Sequence, residues 1–209
     1  MFGIENYAAF LVAGILLNLT PGQDSLYILG RSTAQGRQAG IASVLGIGAG
    51  SLLHTLAAAL GLSYVLLHSA FAFELVRYAG AAYLVYLGIR TLLSSEKANE
   101  PSRAKTPLPA LALFRTGMIT NLLNPKVALF FLSFLPQFID PGNTYGALPF
   151  LILGLTFVVT GTAWCMILAW FAGSFSNAWR DKSRNRFILE KLSGLVFVAL
   201  GIRMALHSR

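Results

Sequence analysis

The chain alternates between long apolar runs and short polar connections. Six of these runs hold about 20 mostly apolar residues, the length that a helix needs to cross the hydrocarbon core of a bilayer. Gly and Ala recur in them at helical spacings, and hydrophobicity does not alternate as it does in barrel strands. The pattern predicts an all-α integral membrane protein with six transmembrane helices: Tyr7–Leu29, Ala39–Leu67, Leu75–Leu93, Phe114–Ile139, Ala147–Phe175 and Phe187–Leu206.

Polar residues and a proline interrupt the first and fourth runs. The first break reads Asn18-Leu19-Thr20-Pro21-Gly22-Gln23-Asp24, and the second reads Asn121-Leu122-Leu123-Asn124-Pro125-Lys126. Proline lacks a backbone donor, and in hydrocarbon the lost hydrogen bonds must be replaced by neighbours, side chains or water. An ionisable group at membrane depth costs about 2.5 to 3.5 kcal/mol even on the lenient insertion scale. We therefore expect helices 1 and 4 to be broken and to line a cavity.

The six spans fall into two groups of three, separated by a basic polar stretch. This division predicts a first three-helix repeat at 1–93, a cytoplasmic linker at 94–113 and a second repeat at 114–209. The sequence Leu-Gly-Ile-Arg closes both the third and the sixth span, at 87–90 and 200–203. A unit of three spans ends on the side opposite its start, so two tandem copies must insert in opposite orientations. We therefore predict an inverted repeat.

Composition restricts the class of protein. Hydrophobic residues make up 56% of the chain and charged residues only 11%, whereas soluble domains carry about 25% charged residues. The net charge of +8 does not indicate nucleic-acid binding, because Lys and Arg fall between the apolar runs without interleaved aromatic residues. We therefore predict a chain embedded in the lipid bilayer that binds no nucleic acid.

Basic residues are unevenly divided between the two sides of the predicted membrane. Of the 16 Lys and Arg residues, three lie on one side, Lys126 lies within the membrane and twelve lie on the other side. Cytoplasmic loops retain Lys and Arg during insertion, so the distribution predicts that both termini lie outside the cytoplasm. The twelve are Arg31, Arg37, Arg90, Lys97, Arg103, Lys105, Arg115, Arg180, Lys182, Arg184, Arg186 and Lys191.

Several chemistries are excluded by the residues that the chain lacks. Its single cysteine, Cys165, cannot form an intramolecular disulfide, a Cys-x-x-Cys redox pair or a zinc site. The chain has no Gly-x-x-x-x-Gly-Lys-Ser/Thr loop that would bind a nucleotide. We therefore expect no cofactor and no resident metal, and we expect any transport to draw energy from a gradient or a partner.

Three motifs carry a resemblance to a known family. They are Pro21-Gly22-x-Asp24 with Arg31-Ser32 and Gly36-Arg37-x-Ala39-Gly40, then Asn121-Leu122-x-Asn124-Pro125-Lys126, and Arg77-Tyr78-Ala79-Gly80-Ala81-Ala82-Tyr83-Leu84. Together they resemble the lysine-exporter superfamily, and more narrowly its homoserine, threonine and leucine exporter branch. The resemblance covers nearly the whole chain. It implies proton-driven efflux of amino acids across a bacterial inner membrane, with a six-helix fold of inverted three-helix repeats. Gln23 departs from the family's common Pro-Gly-Pro pattern.

The two breaks suit a zwitterionic amino acid, whose ammonium and carboxylate are about two bonds apart. A helix that restarts after a proline offers N–H groups and a positive dipole to the carboxylate, and the helix that ends before it offers carbonyls to the ammonium. Lys126 would add positive charge near the substrate carboxylate, and Asp24 would add negative charge near the substrate ammonium. The predicted substrate-binding or coupling residues are Asn18, Thr20, Pro21, Gly22, Gln23, Asp24, His54, Asn121, Asn124, Pro125 and Lys126.

Alternative roles stay open for some of these residues. Asp24 and Lys126 can instead pair with each other and hold the two halves together. Asp24 is the main candidate for proton coupling, and His54 is the second unless it is a neutral histidine bonded to a helix carbonyl.

The polar neutral residues also have simpler interpretations. The hydroxyl of Thr20 is suited to capping the helix that follows the first break. The amides of Asn18 and Asn121 can satisfy the freed backbone groups without touching a substrate.

Two other functions compete with transport of amino acids. A membrane-embedded hydrolase would use Asp24 or Ser25, but it needs a second carboxylate or a base within reach. An exporter of another small solute or of a divalent cation could use the same scaffold, although a cation site needs clustered carboxylates, histidines or thiols. The sequence favours a secondary transporter, which is not an enzyme, and six short spans are compatible with a homodimer.

Overall fold

The computed structural model describes residues 2–64, 70–93 and 107–172, together with residues 191, 194, 195, 198, 199 and 202. Within these residues all regular structure is helical, apart from one isolated backbone bridge between Ile4 and Ile139. Linker residues 94–106 and nearly all of the predicted sixth span, Phe187–Leu206, lie outside the described residues. So does the second copy of Leu-Gly-Ile-Arg, except for Ile202.

The described residues form seven α-helices, two of which continue in tighter or wider turns. A π-helical turn, Ala58–Leu62, extends the third helix. The sixth helix continues through a π-helical turn, Phe130–Phe134, and a 3₁₀ turn, Leu135–Phe138. The helices are α1 (Tyr7–Leu19), α2 (Gln23–Gln35), α3 (Arg37–Ala57), α4 (Ala70–Leu93), α5 (Ala110–Leu122), α6 (Pro125–Leu129) and α7 (Leu148–Trp170).

Helices of membrane-spanning length are present. The segments Arg37–Leu62, with 26 residues, and Leu148–Trp170, with 23, are long and apolar enough to cross a bilayer. α5 and the segment Pro125–Phe138 bend by 49° at their break and form a third crossing if they are one span. The chain is therefore a multi-pass membrane protein, while the total of six spans stays a prediction.

Both predicted breaks are present. α1 ends at Leu19, and Thr20 and Gly22 have extended backbones before α2 begins at Gln23. α5 ends at Leu122, and α6 begins at Pro125, where the fixed φ of proline suits the first helical position. We call α1 with α2 the first broken helix, and α5 with the segment Pro125–Phe138 the second broken helix.

Several predicted helix boundaries were wrong, and α4, for example, begins at Ala70 rather than Leu75. The first broken helix runs to Gln35 rather than Leu29, because its polar last turns stay helical until Gly36, which has a positive φ of 86°. The fourth span begins at Ala110 rather than Phe114, directly after Pro109. Apolarity therefore marked the membrane-facing part of each helix and not its full length.

The two broken helices run in opposite directions. Glu5 N–H donates to the Phe138 carbonyl at 2.8 Å, so the start of the first lies beside the end of the second. At the other end, the Gln35 side chain donates from Nε2 to the Leu108 carbonyl at 3.1 Å. These contacts place the breaks near one another at mid-length.

Close contact between α3 and α5 depends on glycine. A Cβ atom at Gly46 would lie 2.0 Å from the Phe114 carbonyl oxygen, and one at Gly50 would lie 2.9 Å from the Met118 oxygen. Small residues four positions apart thus let the two backbones approach closely. Gly61 differs, because a Cβ there has no described atom within 4 Å. The α3–α5 contact brings the middle of α3 against the second break.

Candidate functional site

A small cavity lies where the two breaks meet. Its volume is about 40 Å³, which holds about three water molecules. The breaks contribute six of the predicted site residues to its wall, three from each: Asn18, Gly22 and Asp24 from the first, and Asn121, Asn124 and Lys126 from the second. The tertiary structure thus brings together polar groups that are about a hundred residues apart in sequence.

Asp24 is held by a chain of hydrogen bonds from the opposite break. The Asn121 side chain donates from Nδ2 to Asp24 Oδ2 at 2.8 Å, and Ser51 Oγ donates to Asn121 Oδ1 at 3.2 Å. Asn121 is 1% exposed and Ser51 is 6% exposed, so both bonds are sheltered from solvent. This arrangement fixes the orientation of the Asn121 amide and of one carboxylate oxygen.

The ammonium of Lys126 is bound by the C-terminal end of α1. Lys126 Nζ donates to the Leu17 carbonyl at 3.0 Å and to the Thr20 carbonyl at 2.8 Å. Within the described residues, no direct ion pair joins Lys126 to Asp24. The arrangement favours coordination by carbonyls over the ion-pair interpretation, and it leaves Gly22 tight against Lys126, since a Cβ there would lie 3.3 Å from Nζ.

Asn124 caps the short helix that restarts after the second break. Its Oδ1 accepts from the backbone N–H of Lys126 at 3.1 Å, which is a standard N-cap bond. The residue is 3% exposed, and its Nδ2 is buried without a hydrogen-bond partner. The Asn124 side chain therefore has one atom committed to the fold and one that faces the cavity unbonded.

His54 lies beside the Asn121 carbonyl, which Pro125 cannot bond and which accepts from the Asn124 N–H at 3.0 Å. Its Nε2 is 3.4 Å from the Asn121 carbonyl oxygen, which belongs to the residue four positions before the proline. The ring stacks on Phe131 with 5.6 Å between centroids. His54 is not part of the cavity wall, so this geometry matches the interpretation as a histidine bonded to a helix carbonyl.

Asn18 and Thr20 occupy different positions in the first break. Asn18 lines the cavity and donates from Nδ2 to Thr160 Oγ1 on α7 at 3.2 Å. The predicted capping role of Thr20 was wrong, because its hydroxyl donates backward to the Leu16 carbonyl at 2.7 Å. The residue before α2, Gly22, makes no side-chain cap, so the first N–H groups of α2 lack an intrahelical acceptor.

The remaining predicted site residues lie outside the cavity wall. The Gln23 side chain is exposed at the first turn of α2, and Pro125 is exposed at the start of α6. Pro21 is half-buried, and it interrupts the helix because it has no backbone N–H to donate.

Two further helices complete the wall, and sequence reasoning missed them. α3 contributes Gly48 and Ser51, and α7 contributes Phe157, Gly161 and Cys165. A signal was present in α7, where Thr156 and Thr160 repeat at a spacing of four within an apolar run. For Ser51 no signal existed, because one serine in an apolar helix more often bonds its own backbone.

Two apolar clusters lie on either side of the cavity. An aromatic cluster, formed by Phe10, Phe130, Phe134, Phe138 and Phe157, lies toward the Ile4–Ile139 bridge, and its closest ring centroids are 4.4 Å apart. A second cluster includes Ile28, Val44, Leu168 and the buried Cys165. We infer that these clusters separate the cavity from both ends of the molecule.

The chain is similar to known proteins along nearly its whole length. A family model described as LysE type translocator matches residues 15–208. A leucine efflux protein of Salmonella typhi is 29% identical over 204 residues, covering 98% of this chain and 96% of its own length.

Two further relatives are membrane proteins of uncharacterised function. The one from Pseudomonas aeruginosa is 31% identical over 209 residues and covers 97% of this chain and 96% of its own length. The one from Bacillus subtilis is 28% identical over 212 residues, with coverage of 97% and 100%. No solved structure matches the chain.

Proposed function

Because this chain belongs to the LysE type translocator family, we propose that it is a secondary active transporter that exports a neutral amino acid. Leucine is the first candidate, since a leucine efflux protein is related along nearly the full length of both chains, and homoserine and threonine are the next. The observation that carries the proposal is the cavity at the two breaks, where Asp24 faces groups from the opposite broken helix. It has the mixed polarity that a zwitterion requires.

The inverted repeat is part of this proposal. It is supported by the opposite directions of the two broken helices and by the proline at the same place in each. The organisation into residues 1–93, 94–113 and 114–209 follows from that repeat. In such transporters, one repeat rocks against the other around a central site, which exposes the site alternately to each side.

The proposed location is a bacterial inner membrane with both termini periplasmic. The basic residues support this orientation, and the contact between Glu5 and Phe138 is compatible with it because it joins two segments assigned to the outer side. We propose assembly as a homodimer only because the six predicted spans are few and short.

Protons are the proposed coupling ion, and Asp24 is the proposed carrier. Its Oδ1 is buried without a hydrogen-bond partner, so one carboxylate oxygen is available to a proton or to a substrate ammonium. No group of three or more His, Cys, Asp or Glu side chains that could hold a metal occurs in the described ranges, which gives a divalent-cation exporter no support.

The cavity in this conformation is smaller than an amino acid. A space of about 40 Å³ accommodates about three waters. We therefore assign this conformation to a state in which the site is contracted. Binding requires the broken helices to separate, and opening to either side requires one cluster to part.

Counterflow in liposomes tests the proposal. The purified protein is loaded with unlabelled leucine, homoserine or threonine, and uptake of the same labelled amino acid is followed with and without a pH gradient. We expect accumulation of at least one of the three, and faster uphill movement when the gradient is present. Protein-free liposomes are the control. Absence of counterflow for a wide panel of amino acids would refute the proposed substrate class.

A further inference from the structure

Two polar atoms of the cavity residues are buried without a hydrogen-bond partner. They are Oδ1 of Asp24 and Nδ2 of Asn124, one from each break. Both side chains have their other polar atom firmly engaged, since Asp24 Oδ2 accepts from Asn121 and Asn124 Oδ1 accepts from Lys126 N–H. Neither side chain can therefore rotate to satisfy its free atom without breaking an existing bond.

The free atoms have complementary character. Asp24 Oδ1 is an acceptor with negative charge, and Asn124 Nδ2 is a neutral donor. The two side chains are neighbours, but no hydrogen bond of normal geometry joins them. A ligand that carries a donor cation and an acceptor anion about two bonds apart can satisfy both atoms together. An α-amino acid in its zwitterionic form is such a ligand.

Lys126 is not available for this role. Its ammonium already binds two carbonyls, Leu17 and Thr20, that end α1. Turning it toward a substrate carboxylate would leave both carbonyls without a donor in an apolar environment, which is unfavourable. The cation nearest the site is thus engaged by the fold, and the donor for the carboxylate must come from another group.

We propose that Asp24 Oδ1 accepts from the substrate ammonium and that Asn124 Nδ2 donates to the substrate carboxylate, while Lys126 acts as a positioning residue. This assignment rests on the proposed function and deepens it. Lys126 maintains the first break so that Asp24 points into the cavity, and Asn121 with Ser51 fixes the carboxylate. Recognition by an amide lets the substrate carboxylate leave its partner without separating from a full opposite charge.

The test compares each free amino acid with its carboxamide, which keeps the ammonium but loses the anion. In counterflow, leucine, homoserine and threonine are each compared with the corresponding amide. The comparison uses the amino acid that the wild-type protein transports. We expect the wild type to prefer the free acid, because hydrogen bonds to a charged group are stronger than those to a neutral one.

Two variants of Asn124 isolate its amide nitrogen. Asn124→Ser keeps an N-cap side chain but removes Nδ2, and it should reduce the preference for the free acid by about tenfold or more. Asn124→Asp also keeps the cap and places an anion there, so it should reverse the preference in favour of the carboxamide. Abundance in the membrane and the melting temperature show whether each variant folds.

Lys126→Gln provides the contrast. As a positioning residue, it should affect the free acid and the carboxamide by the same factor. The assignment is overturned if Asn124→Ser keeps the wild-type preference, if the wild type has no preference, or if Lys126→Gln alone removes it. These results differ from failure of the proposed function, in which the wild type moves none of the three amino acids.

Discussion

Lys126 Nζ lies 3.0 Å from the carbonyl oxygen of Leu17, the residue four positions before Pro21. In an uninterrupted helix, the N–H of residue 21 would bond this carbonyl, and proline has none. At the second break, Pro125 cannot bond the Asn121 carbonyl, which accepts from the Asn124 N–H at 3.0 Å and lies 3.4 Å from His54 Nε2. At each break, a basic side chain from another helix therefore approaches the carbonyl four positions before the proline.

The first prediction concerns the stability contributed by Lys126. Lys126→Met leaves the Leu17 and Thr20 carbonyls without their donor, so we expect the melting temperature in detergent to fall by about 5 °C or more. Lys126→Gln should lose less, because its amide can still donate. The control is Arg115→Met, which removes an exposed cation from α5. Equal melting temperatures for Lys126→Met and the control would show that the carbonyl contacts contribute nothing.

The second prediction concerns Asp24. Asp24→Asn should abolish uphill export, because it removes the only carboxylate that the described residues contribute to the cavity wall, together with its exchangeable proton. The protein should still reach the membrane in normal amounts. The matched control is Asp140→Asn, in a loop where Asp140 Oδ1 accepts from the Gly142 N–H, and export should persist there. Wild-type export by Asp24→Asn would remove Asp24 from coupling.

The third prediction concerns the hydrogen bond from Ser51 to Asn121. Ser51→Ala removes the donor that orients the Asn121 amide, and we expect KM for the transported amino acid to rise about 3- to 10-fold. Ser43→Ala is the control, since Ser43 is on the same helix and bonds only its own backbone, at Ala39. In an Asn121→Ala background, Ser51→Ala should have little additional effect. Independent, multiplicative effects would contradict the hydrogen-bond chain.

The fourth prediction concerns the contact between α3 and α5. Gly46→Ala places a methyl group 2.0 Å from the Phe114 carbonyl, so the helices must separate, and we expect a loss of about 1 to 3 kcal/mol in stability. Gly61→Ala, where the Cβ position is open, should be neutral or slightly stabilising. Thermal unfolding in detergent compares the two. Similar melting temperatures for them would mean that this contact is not tight.

The fifth prediction concerns orientation in the membrane. In a Cys165→Ser background, Thr144→Cys places a thiol in the exposed loop after the second broken helix, and Ala110→Cys places one at its start. We expect a membrane-impermeant maleimide to label residue 144 in intact cells and residue 110 only after lysis. The reverse pattern would place the termini in the cytoplasm.

The sequence alone determined the features that depend on local chemistry. Long apolar runs made the chain a membrane protein, and Pro21 and Pro125 broke the helices, because a missing N–H interrupts a helix whatever surrounds it. The motifs around those prolines, together with the one at 77–84, were also sufficient to identify the family.

Only the tertiary structure decided which groups meet. The sequence placed Asp24 and Lys126 in one site but left open whether they pair, and their partners turned out to be Asn121 and the end of α1. The cap role of Thr20 failed for the same reason, since its hydroxyl had a nearer acceptor in the preceding turn. Hydrogen-bond partners across a bundle depend on the position and rotation of each helix. Packing between helices determines both, and the periodicity of the sequence does not specify them.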